Sequence, residues 1–359
     1  MILSAFDNLA FTCNAVLPII LIIMLGYFLK RIKLLPDGFW KMANKLCFKI
    51  CLPAMLFINI YNVSDIAGIA KQWRIVLFCV IAILLVFGLG LLYVIFFVKE
   101  DKQKGVILQC VYRSNFAIIG VSLAESLSAG RSEPVALAAV ISAISIPLYN
   151  VLAIISLSID KEIISIPLSI FVHDGNSKAS VKDILIKIIK NPLIIGVCLG
   201  ILFLGFRALL SIGRDTPLFT IKDNVPFLYT TINNLKFIAS PLALLALGGD
   251  FTFSAISRLK KQIIAGTLAR ILIVPIACLV VAYLLNKRGT FFGMDNSMCF
   301  PALIALFGTP VAVSSAPMAA EMNNDDELAG QLVVWTSITS ALTLFFIIFV
   351  CSLLGIFAI

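Results

Sequence analysis

The stretch YRSNFAIIGVSLAESL, residues 112–127, decides how the whole chain is read. It lies inside a long apolar segment, yet it carries Arg113, Asn115 and Gly120 close together, with Ser122 two positions further on. A helix that only faces lipid has no use for a charge, an amide and a glycine in one span. An ionisable residue at membrane depth marks a functional site by default. Helix-weakening residues at that depth are tolerated mainly where protein or a water-filled cavity covers the backbone. The stretch therefore reads as half of a transport site.

The sequence around it is that of an all-α polytopic membrane protein. Of 359 residues, 61% are hydrophobic and 13% charged, and the mean hydropathy is +1.07. A soluble domain is nearer half apolar and a quarter charged. Runs of about 20 apolar residues, enough to cross a bilayer as a helix, recur at 10–29, 40–61, 74–98, 105–127, 134–159, 184–206, 229–249, 262–285, 297–320 and 328–357. The short alternating segments of a transmembrane barrel are absent. The N-terminus has no basic region ahead of its apolar run and reads as a first spanning helix rather than a cleaved leader.

The net charge of +9 does not argue for nucleic acid, because the basic residues sit in short loops. Odd-numbered loops hold thirteen Lys and Arg (Lys30, Arg31 and Arg258 among them) and even-numbered loops eight. The positive-inside rule then places odd loops in the cytoplasm and both termini outside the cell. The nine cysteines lie almost entirely within apolar runs, without the spacing of a disulfide framework or a zinc site. Cys47 and Cys51 share a helix face and read as small packing residues. The one histidine, His173, falls in the polar central loop and reads as solvated.

The chain also echoes itself. Residues 44–56, NKLCFKICLPAML, resemble residues 233–245, NNLKFIASPLALL, each placing a proline (Pro53, Pro241) six or seven residues after a leucine. Leu25-Gly26-Tyr27 closes the first span and Leu204-Gly205-Phe206 the sixth. The echoes are five spans apart, so a duplicated half sits upside down relative to its twin, as in many secondary transporters. The partner of the fourth span is then the ninth, FPALIALFGTPVAVSSAPMAAEM, residues 300–322, with Gly308-Thr309-Pro310 and Ser314 to Pro317 in mid-span. Two prolines, a glycine and small hydroxyl residues there argue for a second broken helix. Two antiparallel broken helices would aim half-helix N-termini at a shared cavity, which favours anions.

These residues carry a resemblance to the auxin efflux carrier family, which includes plant auxin exporters and bacterial permeases for malate and malonate. It covers essentially the whole chain and rests on the ten spans, the Asn115-to-Ser122 pattern, Leu52-Pro53, Ser240-Pro241-Leu242, Pro310-x-Ala312 and the acidic turn Asp325-Asp326-Glu327. Ser122 stands where many members have a proline, so Gly120 is expected to make the crossover with less of a kink. The resemblance implies a transport domain (spans 3–5 and 8–10) that moves against a scaffold (spans 1, 2, 6 and 7).

The expected architecture is thus a first five-helix repeat at 1–159, a cytoplasmic central loop at 160–183 and an inverted second repeat at 184–359. The candidate substrate-binding residues are Arg113, Asn115, Gly120, Ser122, Thr309, Pro310, Ser314, Ser315 and Asn59. A guanidinium suits bidentate capture of a carboxylate; Arg113 could instead pair with an acid such as Glu125 or snorkel to the surface. Arg270 reads as half of a structural pair with an acid. Asp250 reads as a solvated carboxylate or a proton or sodium site. Gly196-x-x-x-Gly200 reads as helix packing alone.

Enzymatic readings fail at the motifs. Leu247 stands where the first glycine of an aspartyl GxGD would be, and there is no HExxH and no glycine-rich phosphate loop. The expected function is secondary transport of small organic anions such as malate, malonate or auxin-like carboxylates across the plasma membrane. An anion channel or another, non-transporting membrane protein is the alternative. The expected partners are the lipid bilayer, the anion, a coupling proton or sodium ion and a second copy in a homodimer, with no nucleic acid, metal or cofactor.

Overall fold

A computed structural model describes residues 2–36, 38–62, 71–128, 130–158, 189–211 and 219–356. The described residues are helical, and no strand is present among them beyond one isolated backbone bridge, Ser114 to Val311. The helices in chain order are α1 (Ile2–Arg31), α2 (Gly38–Tyr61), α3 (Trp73–Phe97), α4 (Asp101–Tyr112), α5 (Phe116–Leu127), α6 (Ser132–Leu157), α7 (Pro192–Leu210), α8 (Ile221–Asn224), α9 (Pro226–Asp250), α10 (Ser254–Leu285), α11 (Asn296–Gly308), α12 (Ser315–Glu321) and α13 (Asp326–Leu353). Among the described residues seven helices are long and apolar enough to cross a membrane: α2, α3, α6, α7, α9, α10 and α13. The central loop, with His173, lies outside the described residues.

Proline writes much of the local geometry. α2 and α10 each contain one widened π turn, Cys47–Cys51 and Ala269–Ile273, just ahead of Pro53 and Pro275. Proline has no N–H for the carbonyl one turn back, and its ring crowds that carbonyl. Taking in one extra residue relieves both faults without ending the helix. Pro192 and Pro226 instead open helices, where the missing N–H would have had no partner. Asn191 completes the start of α7 by accepting the Leu193 N–H at 2.9 Å.

The molecule is apolar on both sides of its wall. Leu85, Leu89, Phe96, Phe97, Leu202 and Leu209 stand exposed on α3 and α7, as lipid-facing side chains do. α11 is the reverse: every residue from Cys299 to Gly308 is buried. α4 is buried along most of its length, from Gln103 to Tyr112. A helix apolar all round, as α11 is from Cys299 to Gly308, belongs in the interior; α4 joins it there although it buries Gln103, Lys104 and Gln109, and these two form the axis about which the others pack.

Two helix pairs each touch through a pair of glycines. α1 meets α9 where a side chain on Gly26 would overlap the Leu245 carbonyl and one on Gly248 the Ile23 carbonyl. α2 meets α7 where Gly196 lies on the Pro53 backbone and Gly200 on Phe57 and Ile60. Close backbone approach through small residues is how helices associate in lipid, where hydrophobicity gives no drive. Gly248→Val is expected to push α1 off α9 and to lower the melting temperature of the detergent-purified protein by several degrees. The opposite result, an unchanged melting curve, would show that the contact contributes nothing.

Contacts between loops sort into two ends. At one end Gln103 donates to Asp325 at 2.9 Å, the Asp325 N–H donates to the Lys102 carbonyl, Asn324 donates to the Leu157 carbonyl and Asn44 donates to Asp250 at 2.9 Å. At the other end the Ile221 N–H donates to the Tyr61 hydroxyl, Asn62 donates to Tyr229 and Arg74 donates to the Thr290 carbonyl.

Candidate functional site

The axis helices stop in mid-molecule. α11 ends at Gly308 because Pro310 drives the residue before it, Thr309, into the extended region (φ −71°, ψ 153°). α4 ends at Tyr112, and Arg113 is extended as well (φ −85°, ψ 107°). The two extended pieces run antiparallel past each other. The Asn115 N–H donates to the Pro310 carbonyl at 2.8 Å, and the Ala312 N–H donates to the Arg113 carbonyl at 3.4 Å. Pro310 has no donor to offer, and only its carbonyl is needed. α5 and α12 then start afresh on the far sides of the crossing.

Such a break leaves carbonyls at the ends of α4 and α11 without helical partners. Arg270, wholly buried on the widened turn of α10, takes them up. Its Nε and one Nη donate to the Thr309 carbonyl at 3.0 and 2.8 Å, and the same Nη donates to the Phe307 carbonyl at 2.9 Å. Its other Nη donates to the carbonyls of Tyr112 at 3.2 Å and Val111 at 3.4 Å. All five guanidinium donors are used. The cation also sits where two helix dipoles present their negative ends. Pairing with an acid was expected for Arg270; its partners are backbone carbonyls instead.

Arg113 lies on the other side of the crossing, 2% exposed. One Nη donates to Gln109 Oε1 at 2.9 Å and stands 3.0 Å from Met318 Sδ and 3.4 Å from Ser315 Oγ. The other donates to Asn150 Oδ1 and Ser314 Oγ, both at 2.8 Å. Every one of these partners is neutral. Glu125, the acid considered for it, is exposed and makes no contact with it. The guanidinium is thus a buried positive charge with no carboxylate among the described residues to balance it.

Arg113 lines a narrow cavity of about 30 Å³. One wall comes from the crossing and α6: Ser114, Asn115, Ile118, Tyr149, Asn150 and Ser314. The facing wall comes from α2, α7 and α9: Leu52, Met55, Leu56, Leu193, Ala239 and Ser240. Asn115 is 2% exposed, and its Nδ2 has no hydrogen-bond acceptor. The polar groups collect on the first wall and the second is almost wholly apolar.

Of the nine candidate residues, Arg113, Asn115 and Ser314 line the cavity, and Ser315 touches Arg113. Thr309 is buried with its hydroxyl donating back to the Ala305 carbonyl, and it serves the site only through its own carbonyl. Pro310 likewise acts through its carbonyl. The break falls at Arg113 to Asn115 rather than at Gly120, which closes a widened turn, Phe116–Gly120, against the Phe116 ring. Ser122 faces outward. In a regular helix it would share a face with Asn115, but the extra residue of the widened turn rotates it by about 100°. Asn59 continues the face of Leu52, Met55 and Leu56, one turn beyond the cavity, and is half-buried. Gln109, Tyr149 and Asn150 were not anticipated, although Asn150 stands out as an amide amid the apolar run of α6.

Apolar outer walls, buried axis helices broken at a crossing and a narrow pocket with one polar wall define a helical membrane transporter. The chain matches the family model for membrane transport proteins over residues 11–348. It belongs to that family, the auxin efflux carrier family. A comparison with curated proteins finds no match.

Proposed function

We propose that the protein is a secondary transporter of small organic anions, with malate and malonate as the first substrates to test, and that the anion's carboxylate binds between Arg113 and Asn115. The observation that carries this reading is the uncompensated guanidinium beside an amide nitrogen without an acceptor. A buried charge is stable only when paired, and buried donors are nearly always satisfied. One carboxylate would answer both needs. The positive N-terminal end of α5 adds to the same field.

A cavity of about 30 Å³ holds roughly two waters. A dicarboxylate needs several times that volume, so the two walls must separate for it to enter. The walls belong to different groups, the crossing segments with α5 and α6 on one side and α2, α7 and α9 on the other. This supports alternating access, with the crossing moving against the α1, α2, α7 and α9 scaffold. Inverted five-helix repeats fit the exchanged glycine contacts: the first helix of each half packs on the second helix of the other. The sorting of loop contacts into two ends fits ten spans, and the positive-inside count puts the end that carries Asp250 and Asp325 in the cytoplasm of a cell-membrane protein.

The test is uptake of labelled malate, malonate and indole-acetate into liposomes that hold the purified protein. Saturable, counter-substrate-stimulated uptake is expected for at least one of them. Flux that rises linearly with concentration would replace the carrier with a channel.

A further inference from the structure

We propose that Asn44 and Asp250 form a proton-binding site on the seam between the scaffold and the crossing helices. Asp250 ends α9, and α2 brings Asn44 to it, with Nδ2 donating to Asp250 Oδ2 at 2.9 Å. Asn44 is 8% exposed, and its Oδ1 has no donor. An ionised carboxylate only accepts, so it cannot supply one. A protonated Asp250 can: its O–H would donate to the amide oxygen while the amide N–H donates back. Both halves of the pair are then satisfied without any change of neighbours.

The surroundings favour that state. Trp40, fully buried, lies flat against the backbone at Gly249, where any side chain would collide with the indole. The charged groups around it are Lys30 from α1, Lys41 from α2, and Asp326 and Glu327 from α13. Glu327 is already held by Thr252 and by Arg258 of α10. Lys41 is exposed and forms no ion pair with Asp250; the positive field of Lys30 and Lys41 offsets the repulsion from Asp326, so burial is what disfavours the charge. Asp326 repels an ionised Asp250 across the seam.

A cavity of about 270 Å³ opens at this point, lined by Asn44 and Asp250 on the scaffold and by Ala316, Ala320, Asp326 and Gly330 on α12 and α13. Its two sides belong to the groups that would part during transport. Protonation removes the repulsion between Asp250 and Asp326 and so favours the state in which this end is shut. The role as a coupling proton rests on the transport reading above; the existence of the site does not.

The experiment is pH-titrated infrared difference spectroscopy on the purified full chain, on Asp250→Asn and on Asn44→Ala. The expected result is a protonated-carboxyl C=O band that persists above about pH 4, where exposed aspartates ionise. Asp250→Asn should remove it, and Asn44→Ala should displace it to the frequency of a carboxyl without a hydrogen-bond partner. If Asp250→Asn does not fold, the displacement in Asn44→Ala decides alone. A wild-type spectrum with no band sensitive to either substitution overturns the proposal. So does a band that sodium chloride, but not choline chloride, removes at fixed pH, which would assign the site to a metal cation. An intact band without anion uptake would sink the transport reading and leave this one standing.

Discussion

Arg113→Met is expected to leave a folded protein that no longer takes up the anion. The side chain is buried and its partners are neutral, so removing it deletes an unbalanced charge rather than breaking an ion pair. The apolar replacement removes the desolvation cost of the charge, which offsets the about 1–3 kcal/mol for each buried acceptor, Gln109 Oε1 and Asn150 Oδ1, left without a donor. Methionine also matches the apolar surface already supplied by Met318. The substrate loses far more. Truncating one side of a buried, hydrogen-bonded charge pair costs about 2–5 kcal/mol, and each 1.4 kcal/mol is about tenfold in affinity. The apparent KM for malate should rise at least about 30-fold, and uptake at low concentration should vanish. Arg113→Lys should fall in between, since an ammonium keeps the charge but not the planar fork. Carboxylate uptake of wild-type size in Arg113→Met would remove the arginine from the site.

Arg270→Leu should fail in the opposite way. Arg270 lines no part of the cavity, but its guanidinium is the hydrogen-bond partner of the carbonyls at 111, 112, 307 and 309. Each buried carbonyl left without a donor costs about 1–3 kcal/mol. Losing all of them removes an amount comparable to the total stability of a typical protein, about 5–15 kcal/mol. The leucine variant is expected to give no monodisperse peak on size-exclusion chromatography. Arg270→Lys has three donors in place of five. It should fold with a lowered melting temperature, yet keep the wild-type KM for the transported anion. A raised KM in that variant would move Arg270 from the frame of the crossing into the binding site itself.

The two arginines show where sequence reading succeeds and where it stops. Both stand out as charges in apolar runs, because burying a charge is costly enough that such residues are rarely there by accident. Their roles were not legible. Arg113 and Arg270 have the same chemistry and similar depth, and only their neighbours separate them. One meets the carbonyl ends of two broken helices; the other meets amides and hydroxyls around a cavity. Those neighbours come from α4, α6, α11 and α12, which lie far apart along the chain.

The breaks themselves were local facts. Proline at 310 and the small residues from Ser314 to Ala316 forbid an uninterrupted ninth span whatever packs against it. The fourth span was harder, because no proline marks its break. The halt at Arg113 depends on the antiparallel bonds that Asn115 and Arg113 make with Pro310 and Ala312, which are tertiary contacts. The outward turn of Ser122 also escaped the sequence, because a π turn at residues 116–120 shifts the helical phase behind it.

What the amino-acid sequence determined by itself was the membrane, the helices and the ninth span that could not stay whole. Those follow from hydropathy, from the length of a bilayer and from the missing N–H of proline, all properties of residues and their immediate neighbours. Tertiary structure alone decided which polar groups face the cavity, which arginine holds the crossing together and where Asp250 finds its amide. Each of those depends on which side chains from distant helices arrive at the same few ångströms, and local propensity carries no record of that.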